Sequence, residues 1–327
     1  MTAPNATLPV FIARRITVAV PMIVAVITIN FLLIHLAPGD PTTVFFGDFV
    51  PSQAQVQELS HRLGLDRPLY VQYFTYLATL LRGDLGFSYV AQTPVLSLIF
   101  GRVGATALLM LSSLALFTTL GVTLGSLVAR RPYSPADNVN AVLSLIGYSI
   151  PVFWLGQIAL LVFSLQLGVL PTQGMVDVRA GYVGWAHVRD VALHLVLPVT
   201  VLGMRYLAIN SRLMRASMIE ALGQDYVVAA RAKGLREATV QFHAFRNAII
   251  PVVTILGTNI GELLSGSVLI EIVFGWPGLG RLMYDAIFSR DYPVLMGLFV
   301  FISVGVVVAN LVTDIAYGAL DPRVRRT

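Results

Sequence analysis

Cysteine is absent from the 327 residues. That rules out a disulfide, a thiol nucleophile and a Cys-ligated metal. Lysine occurs once, at Lys233, and is followed by Gly234. A phosphate-binding loop needs Gly-Lys followed by Ser or Thr, so the chain cannot carry that motif. Any ATP acting on it must be bound by another polypeptide. The five histidines, His35, His61, His187, His194 and His243, are widely separated, and neither HExxH nor GxSxG occurs. These absences argue against a metalloprotease or serine hydrolase and lead us to expect a non-catalytic chain with no metal site. Charged residues make up only 12% of the sequence, and no Ser/Gly-rich linker divides it.

Apolar sequence fills the remaining space. Hydrophobic residues make up 56% of the chain and the mean hydropathy is +0.78. Several stretches reach the roughly 20 apolar residues that span a bilayer. Six spans are predicted, at about 11–36, 100–129, 139–167, 193–214, 247–274 and 293–318. In the first, Arg14 and Arg15 precede a run without acidic or basic residues, which keeps the N-terminus inside; its apolar core is too long for a signal peptide. The second carries Gly121-x-x-x-Gly125, a close-packing pattern for helices in lipid. The third contains Tyr148, Ser149, Pro151 and Gln157 and is predicted to be a polar, kinked span.

This topology puts 14 of the 22 cationic residues inside and 8 outside, and both termini in the cytoplasm. The pI of about 9.6 reflects these membrane flanks rather than a nucleic-acid surface. The predicted organisation is a cytoplasmic N-terminus and first span (1–36), an extracytoplasmic insertion (37–98), a membrane domain with five further spans (99–318) and a cytoplasmic tail (319–327). Within the insertion, Pro51-Ser52 is expected to start a helix that Gly64 stops. Asp66 is expected to cap a second helix, with Leu69, Tyr70, Tyr73, Phe74, Leu77, Leu80 and Leu81 as its packed apolar stripe.

Residues 224–252 form a charged, Ala-rich island between two apolar spans, within a cytoplasmic loop taken as 216–246. Tyr226, Ala229, Ala230 and Lys233 fall at i, i+3, i+4, i+7 and share one helical face. Gly234 suits a left-handed helix end, with Arg231 and Lys233 in the last turn, and a second short helix is predicted from Glu237. This helical knuckle reads either as a docking surface or as a solvated basic loop. Polar residues at membrane depth are costly. Asn259 and Glu262 in the fifth span, with Tyr148 and Gln157 in the third, are candidates for lining a translocation path. Glu262 lies roughly 22 Å into its helix; the competing reading pairs it within the bundle. Asp314 in the sixth span is a candidate intramembrane partner for Arg212 or Arg215.

An ordered set of short motifs then carries a resemblance along almost the whole chain. It includes Leu36-Ala37-Pro38-Gly39-Asp40-Pro41, Leu63-Gly64-Leu65-Asp66-Arg67-Pro68, Arg82-Gly83-Asp84-Leu85-Gly86-Phe87-Ser88 and His194-Leu195-Val196-Leu197-Pro198. Further along are Ala230-Arg231-Ala232-Lys233-Gly234, Trp276-Pro277-Gly278-Leu279-Gly280-Arg281 and Leu320-Asp321-Pro322-Arg323. The chain resembles the B-type permease subunit of dipeptide, oligopeptide and nickel ABC importers. The resemblance implies an all-α integral membrane protein with the six-helix type I importer permease fold and a helical extracytoplasmic insertion. It also implies a bacterial or archaeal cytoplasmic-membrane location.

The implied partners are a homologous second permease, two ATP-binding cassette ATPases that hold ATP and Mg, and an extracytoplasmic peptide-binding protein. In such a system ATP closes the ATPases, and a coupling helix carrying the "EAA" signature transmits the movement. Ala229, Ala230 and Gly234 match that signature, while Val228 stands where many such permeases have Glu. Tyr226, Arg231 and Lys233 would share the coupling surface. The alternative class is an ion-coupled secondary transporter, which would need paired carboxylates near the midplane and often inverted repeats.

Overall fold

The structure, a computed structural model, describes residues 8–36, 52–63 and 66–320. Within these, the side chains described are those outside residues 8–16, 34, 59–60, 62–63, 256–266 and 312–320. The described residues are mostly helical, and the six expected spans fall on helices. They are α1 (Leu8–Leu36), α4 (Val95–Val128), the bent pair α5 (Pro135–Ser149) and α6 (Val152–Ala159), α7 (Trp185–Leu222), α10 (Ile250–Val273) and α12 (Tyr292–Leu320). Among the described residues, α4, α7 and residues Tyr292–Leu311 are long and apolar enough to cross a bilayer. The bent pair adds a fourth if it is one span. Two compact units emerge, residues 1–104 with 278–327, and residues 105–277.

In the first unit, α1 packs along α12. A short hairpin, β1 (Phe87–Ser88) with β2 (Thr93–Pro94), leads into α4. Ser88 Oγ donates to Asp291 Oδ2 at 2.5 Å, and both residues are buried. This bond ties the hairpin to the start of α12. The connection 275–292 was expected to be loop, but it contains α11 (Leu279–Phe288), whose Leu279, Leu282 and Ala286 are buried beside Val95, Ile99 and Leu298. The i, i+3, i+7 pattern that makes this helix was masked by the Pro-Gly start.

The insertion contains α2 (Gln53–Leu63) and α3 (Leu69–Leu81). Ser52 caps α2 reciprocally: Gln55 N donates to Ser52 Oγ at 3.4 Å, and Ser52 N donates to Gln55 Oε1 at 2.9 Å. Asp66 does not cap α3. Pro68 occupies the cap position without a side-chain bond, because its fixed ring delays the helix to Leu69. The expected packed stripe is also corrected. Tyr73 and Tyr76 face α1, whereas Leu69, Tyr70, Phe74 and Leu81 are exposed.

In the second unit, the predicted span 139–167 is not one straight or gently kinked helix. Its halves are bent by 100°. Ile150 is extended (φ −75°, ψ 128°) because Pro151 disfavours helix in the preceding residue and removes a backbone donor. A π-helical stretch, Leu160–Gln166, follows α6. α7 begins eight residues earlier than predicted and ends eight later, absorbing Pro198 and carrying the helix to Leu222. Residues 216–222 of the expected loop are thus the last turns of α7.

The Gly121/Gly125 pair seats α4 on α7. A Cβ at Gly125 would lie 2.4 Å from Ser211 O, so only glycine permits this backbone approach.

Candidate functional site

The charged island folds as two helices, α8 (Asp225–Ala232) and α9 (Glu237–Ala248). Asp225 in the first turn and Arg231 in the last complement the dipole of α8. The helix ends in a paired turn: Leu235 N donates to Ala230 O at 3.3 Å, and Gly234 N donates to Arg231 O at 2.9 Å. Gly234 has φ +76°, the left-handed conformation this motif requires, and a Cβ there would meet nothing within 4 Å. Its requirement is therefore conformational rather than one of space. Across the turn, Arg231 Nη2 and Nε donate to Glu237 Oε1 and Oε2 at 2.8 and 3.2 Å. The hydrogen-bonded guanidinium holds the Glu237 carboxyl below the usual range. This bidentate pair bridges α8 and α9, but both side chains are about half exposed, so the helices are held mainly by the apolar contacts beneath.

The predicted shared face of α8 splits. Ala230 joins Val227 in an apolar cluster with Met214, Met218, Val240, Ala244 and Val252. Tyr226, Ala229 and Lys233 remain exposed, as do Arg231 and Val228. Val227 went unnoticed in the sequence because it breaks the chosen i, i+3, i+4 register. The knuckle is thus anchored on α7 and α10 by one face and presents the other.

Beneath it runs a polar seam that joins α7 to α5 and α4. Arg215 Nη2 donates to Asp137 Oδ2 at 2.6 Å, and Arg215 Nε donates to Asp137 Oδ1. Asp137 is buried and also accepts from Tyr133 N at 2.8 Å. Arg215 is thus paired with Asp137; the side chain of Asp314, its expected partner, lies outside the described residues. Arg212 is exposed. Next in the seam, Ser211 Oγ donates to Asn140 Oδ1 at 3.0 Å, and Asn210 Nδ2 donates to Thr118 Oγ1 at 3.1 Å. Asp137, Asn140 and Ser144 recur at i, i+3, i+7, a polar helical stripe that sequence reading could have found.

Of the path candidates, Tyr148 and Gln157 are exposed on either side of the 100° elbow. The elbow carries a groove of about 510 Å³ lined by Ile146, Ser149, Ile150, Pro151, Phe153 and Trp154. The Arg205 guanidinium stacks 5.4 Å from the centre of the Tyr148 ring. Asn259 and Glu262 lie on α10, and their side chains fall outside the described residues. The sequence reading missed a second acid on the same helix. Glu271 is fully buried and accepts from Thr106 Oγ1 at 2.7 Å. One turn beyond, the buried Trp276 donates through Nε1 to Ala105 O at 2.8 Å. Among the described residues, no group of three His, Asp or Glu could hold a metal ion.

The long apolar helices, with a helical knuckle between two of them, are those of a membrane protein. The chain belongs to the family of binding-protein-dependent transport system inner membrane components. The family matches residues 121–326, and its N-terminal part matches residues 8–111. The chain is 41% identical over 316 residues to the oligopeptide transport system permease protein AppB of Bacillus subtilis. It is 40% identical over 330 residues to the di/tripeptide transport system permease protein DppB of Pseudomonas aeruginosa. It is 36% identical over 333 residues to the dipeptide transport system permease protein DppB of Escherichia coli K12. Each comparison covers 96% of this chain and 98% of the relative.

Proposed function

We propose that this chain is one of two homologous permease subunits of an ATP-driven importer of di- and oligopeptides. The full-length similarity to three peptide permeases carries the substrate class. In this reading ATP and Mg bind to separate ATPase subunits, in keeping with the lack of a Gly-Lys-Ser/Thr loop here. A substrate-loaded binding protein docks at the outer side, and both termini and the α8–α9 knuckle lie in the cytoplasm of a bacterial or archaeal cell. The exposed Tyr226, Ala229, Arg231 and Lys233 meet the ATPase, while Ala230 and Gly234 fix the shape of the helix that carries them.

The knuckle suits this role physically. A helix bolted by Val227 and Ala230, and clasped by Arg231–Glu237, moves as one body with the ends of α7 and α10. ATP then changes the path only through its preference for one conformation. Tyr148, Gln157, Asn259 and Glu262 are proposed to line this chain's half of the path, with Arg205 beside Tyr148 as a cationic contact for a peptide carboxylate. In the proposed arrangement residues 37–98 form the extracytoplasmic insertion and 319–327 the cytoplasmic tail.

The test is uptake of a radiolabelled dipeptide into proteoliposomes that contain the two permeases and two ATPases, with binding protein outside and ATP inside. Uptake should need ATP and persist when ionophores abolish ion gradients. Uptake by the permeases alone on an ion gradient would establish the secondary-transporter reading instead.

A further inference from the structure

α5 is held differently from its neighbours. Its buried residues are Asp137, Ser144 and Gly147, so no apolar side chain of this helix is buried. Beyond the elbow, α6 packs Val152 and Leu155 against the cluster that contains Leu197, Val201 and Phe274. No residue of α5 belongs to any of the three apolar clusters. Its contact with α7 consists of polar rungs and small residues. A Cβ at Gly147 would lie 3.7 Å from Met204 O and 4.0 Å from that of Ala208, which is ordinary contact. Interdigitated apolar side chains resist axial displacement of a helix, and α5 buries none here.

The rungs do not match in number. α7 offers Ser211 and Arg215, one turn apart, whereas α5 offers Asp137, Asn140 and Ser144 at i, i+3, i+7. Arg215 Nη2 donates to Asp137 Oδ2 at 2.6 Å, and Ser211 Oγ donates to Asn140 Oδ1 at 3.0 Å. Ser144 is left over. Among the described residues its buried hydroxyl has no hydrogen-bond partner, and neither has the buried Asn140 Nδ2. Hydroxyls of α4 satisfy themselves on their own helix, as Ser113 Oγ does by donating to Leu109 O at 2.7 Å, but that of Ser144 does not. A buried polar atom without a partner is costly, and it marks where the seam is incomplete.

Displacing α5 by one turn, roughly 5.4 Å, toward its own N-terminus supplies the missing partner. Ser144 then faces Ser211, and Asn140 presents its side-chain carbonyl to Arg215. Asp137 keeps the bond from Tyr133 N, which travels with it. The elbow can supply the length, because extending the four residues of one helical turn gains roughly 7 Å. The displaced register lacks a carboxylate opposite Arg215, so the register seen here is the lower in energy.

We propose that α5 and α7 form a two-register ratchet, in which Ser144 is the rung left open here and filled by Ser211 after a one-turn displacement. The two registers belong to this chain; only their linkage to ATP rests on the proposed function.

The lack of cysteine makes the registers directly readable. A disulfide needs Cα atoms within about 7 Å, so a one-turn displacement changes which pair can close. Asn140→Cys/Ser211→Cys reports the present register and Ser144→Cys/Ser211→Cys the displaced one. Both pairs are oxidised in the complete complex in nanodiscs, with cysteine-free partners. Without nucleotide, the 140/211 pair should close several-fold faster than 144/211. Moving the carboxylate by one rung, with Asp137→Asn/Asn140→Asp added to the 144/211 pair, should speed closure of that pair several-fold, because Arg215 follows the charge. Asn140→Asp alone, which retains Asp137, should speed it by a smaller factor. Closure of 144/211 as slow in both variants as in the parent ladder overturns the ratchet. ATP should shift the parent ladder in the same direction as the moved carboxylate. A response to the carboxylate but none to ATP would support the two registers and refute their linkage to the ATPase.

Discussion

Asp137→Ala should lower the stability of the assembled chain by about 3–5 kcal/mol, the cost of leaving one member of a buried pair uncompensated. Its carboxylate has two tasks. It receives both guanidinium bonds of Arg215, and it accepts from Tyr133 N. Tyr133 has φ +63°, unusual for a residue with a side chain, so the turn before α5 relies on that carboxylate. Thermal unfolding of the purified complex in nanodiscs measures the effect. The double variant Asp137→Leu/Arg215→Met should recover more than half of the loss, because an apolar pair can replace a buried ion pair. An Asp137→Ala protein as stable as the parent would show that the seam does not depend on this bridge.

Gly234→Val should abolish transport while leaving the permease in the membrane. Nothing lies within 4 Å of a Cβ at this position, so the penalty is the left-handed backbone alone. It is about 1–2 kcal/mol for an ordinary residue and more for a β-branched one. That is enough to shift the end of α8 and open the Arg231–Glu237 clasp, without cutting into the apolar cluster below. Gly234→Asn should keep most activity, because Asn tolerates this conformation. Peptide uptake and ATP hydrolysis measured together give the readout, with uptake lost in Val and retained in Asn. Equal uptake by both variants would mean that the turn does not transmit the ATPase movement.

Some of this organisation was legible in the sequence and some was not, for reasons that can be named. Span positions and the Gly234 helix end follow from local signals, namely apolar run length and a glycine after a run of helix formers. The Ser52 cap and the Gly121/Gly125 approach are also local. The failures are tertiary. The i, i+3, i+4 rule grouped Ala230 with Tyr226, but only the position of α7 and α10 shows which side of α8 is buried. Asp137 was not read as a partner of Arg215, because nothing in the sequence links two residues 78 positions apart. Pro151 signalled a break but not its size; the observed 100° depends on where α6 packs. Glu271 and Thr106 are 165 residues apart, and neither carries a motif that announces the other.

The central claim is that the exposed face of α8 receives the ATPase. A photoreactive benzoylphenylalanine placed at Tyr226 or Val228, both exposed, and at the buried Val227 tests it in the complete transporter. Positions 226 and 228 should cross-link to the ATPase subunit, with a yield that changes when ATP is bound, and position 227 should give only products within this chain. Cross-links from 226 and 228 to the extracytoplasmic binding protein, or none to the ATPase in either nucleotide state, would contradict the account.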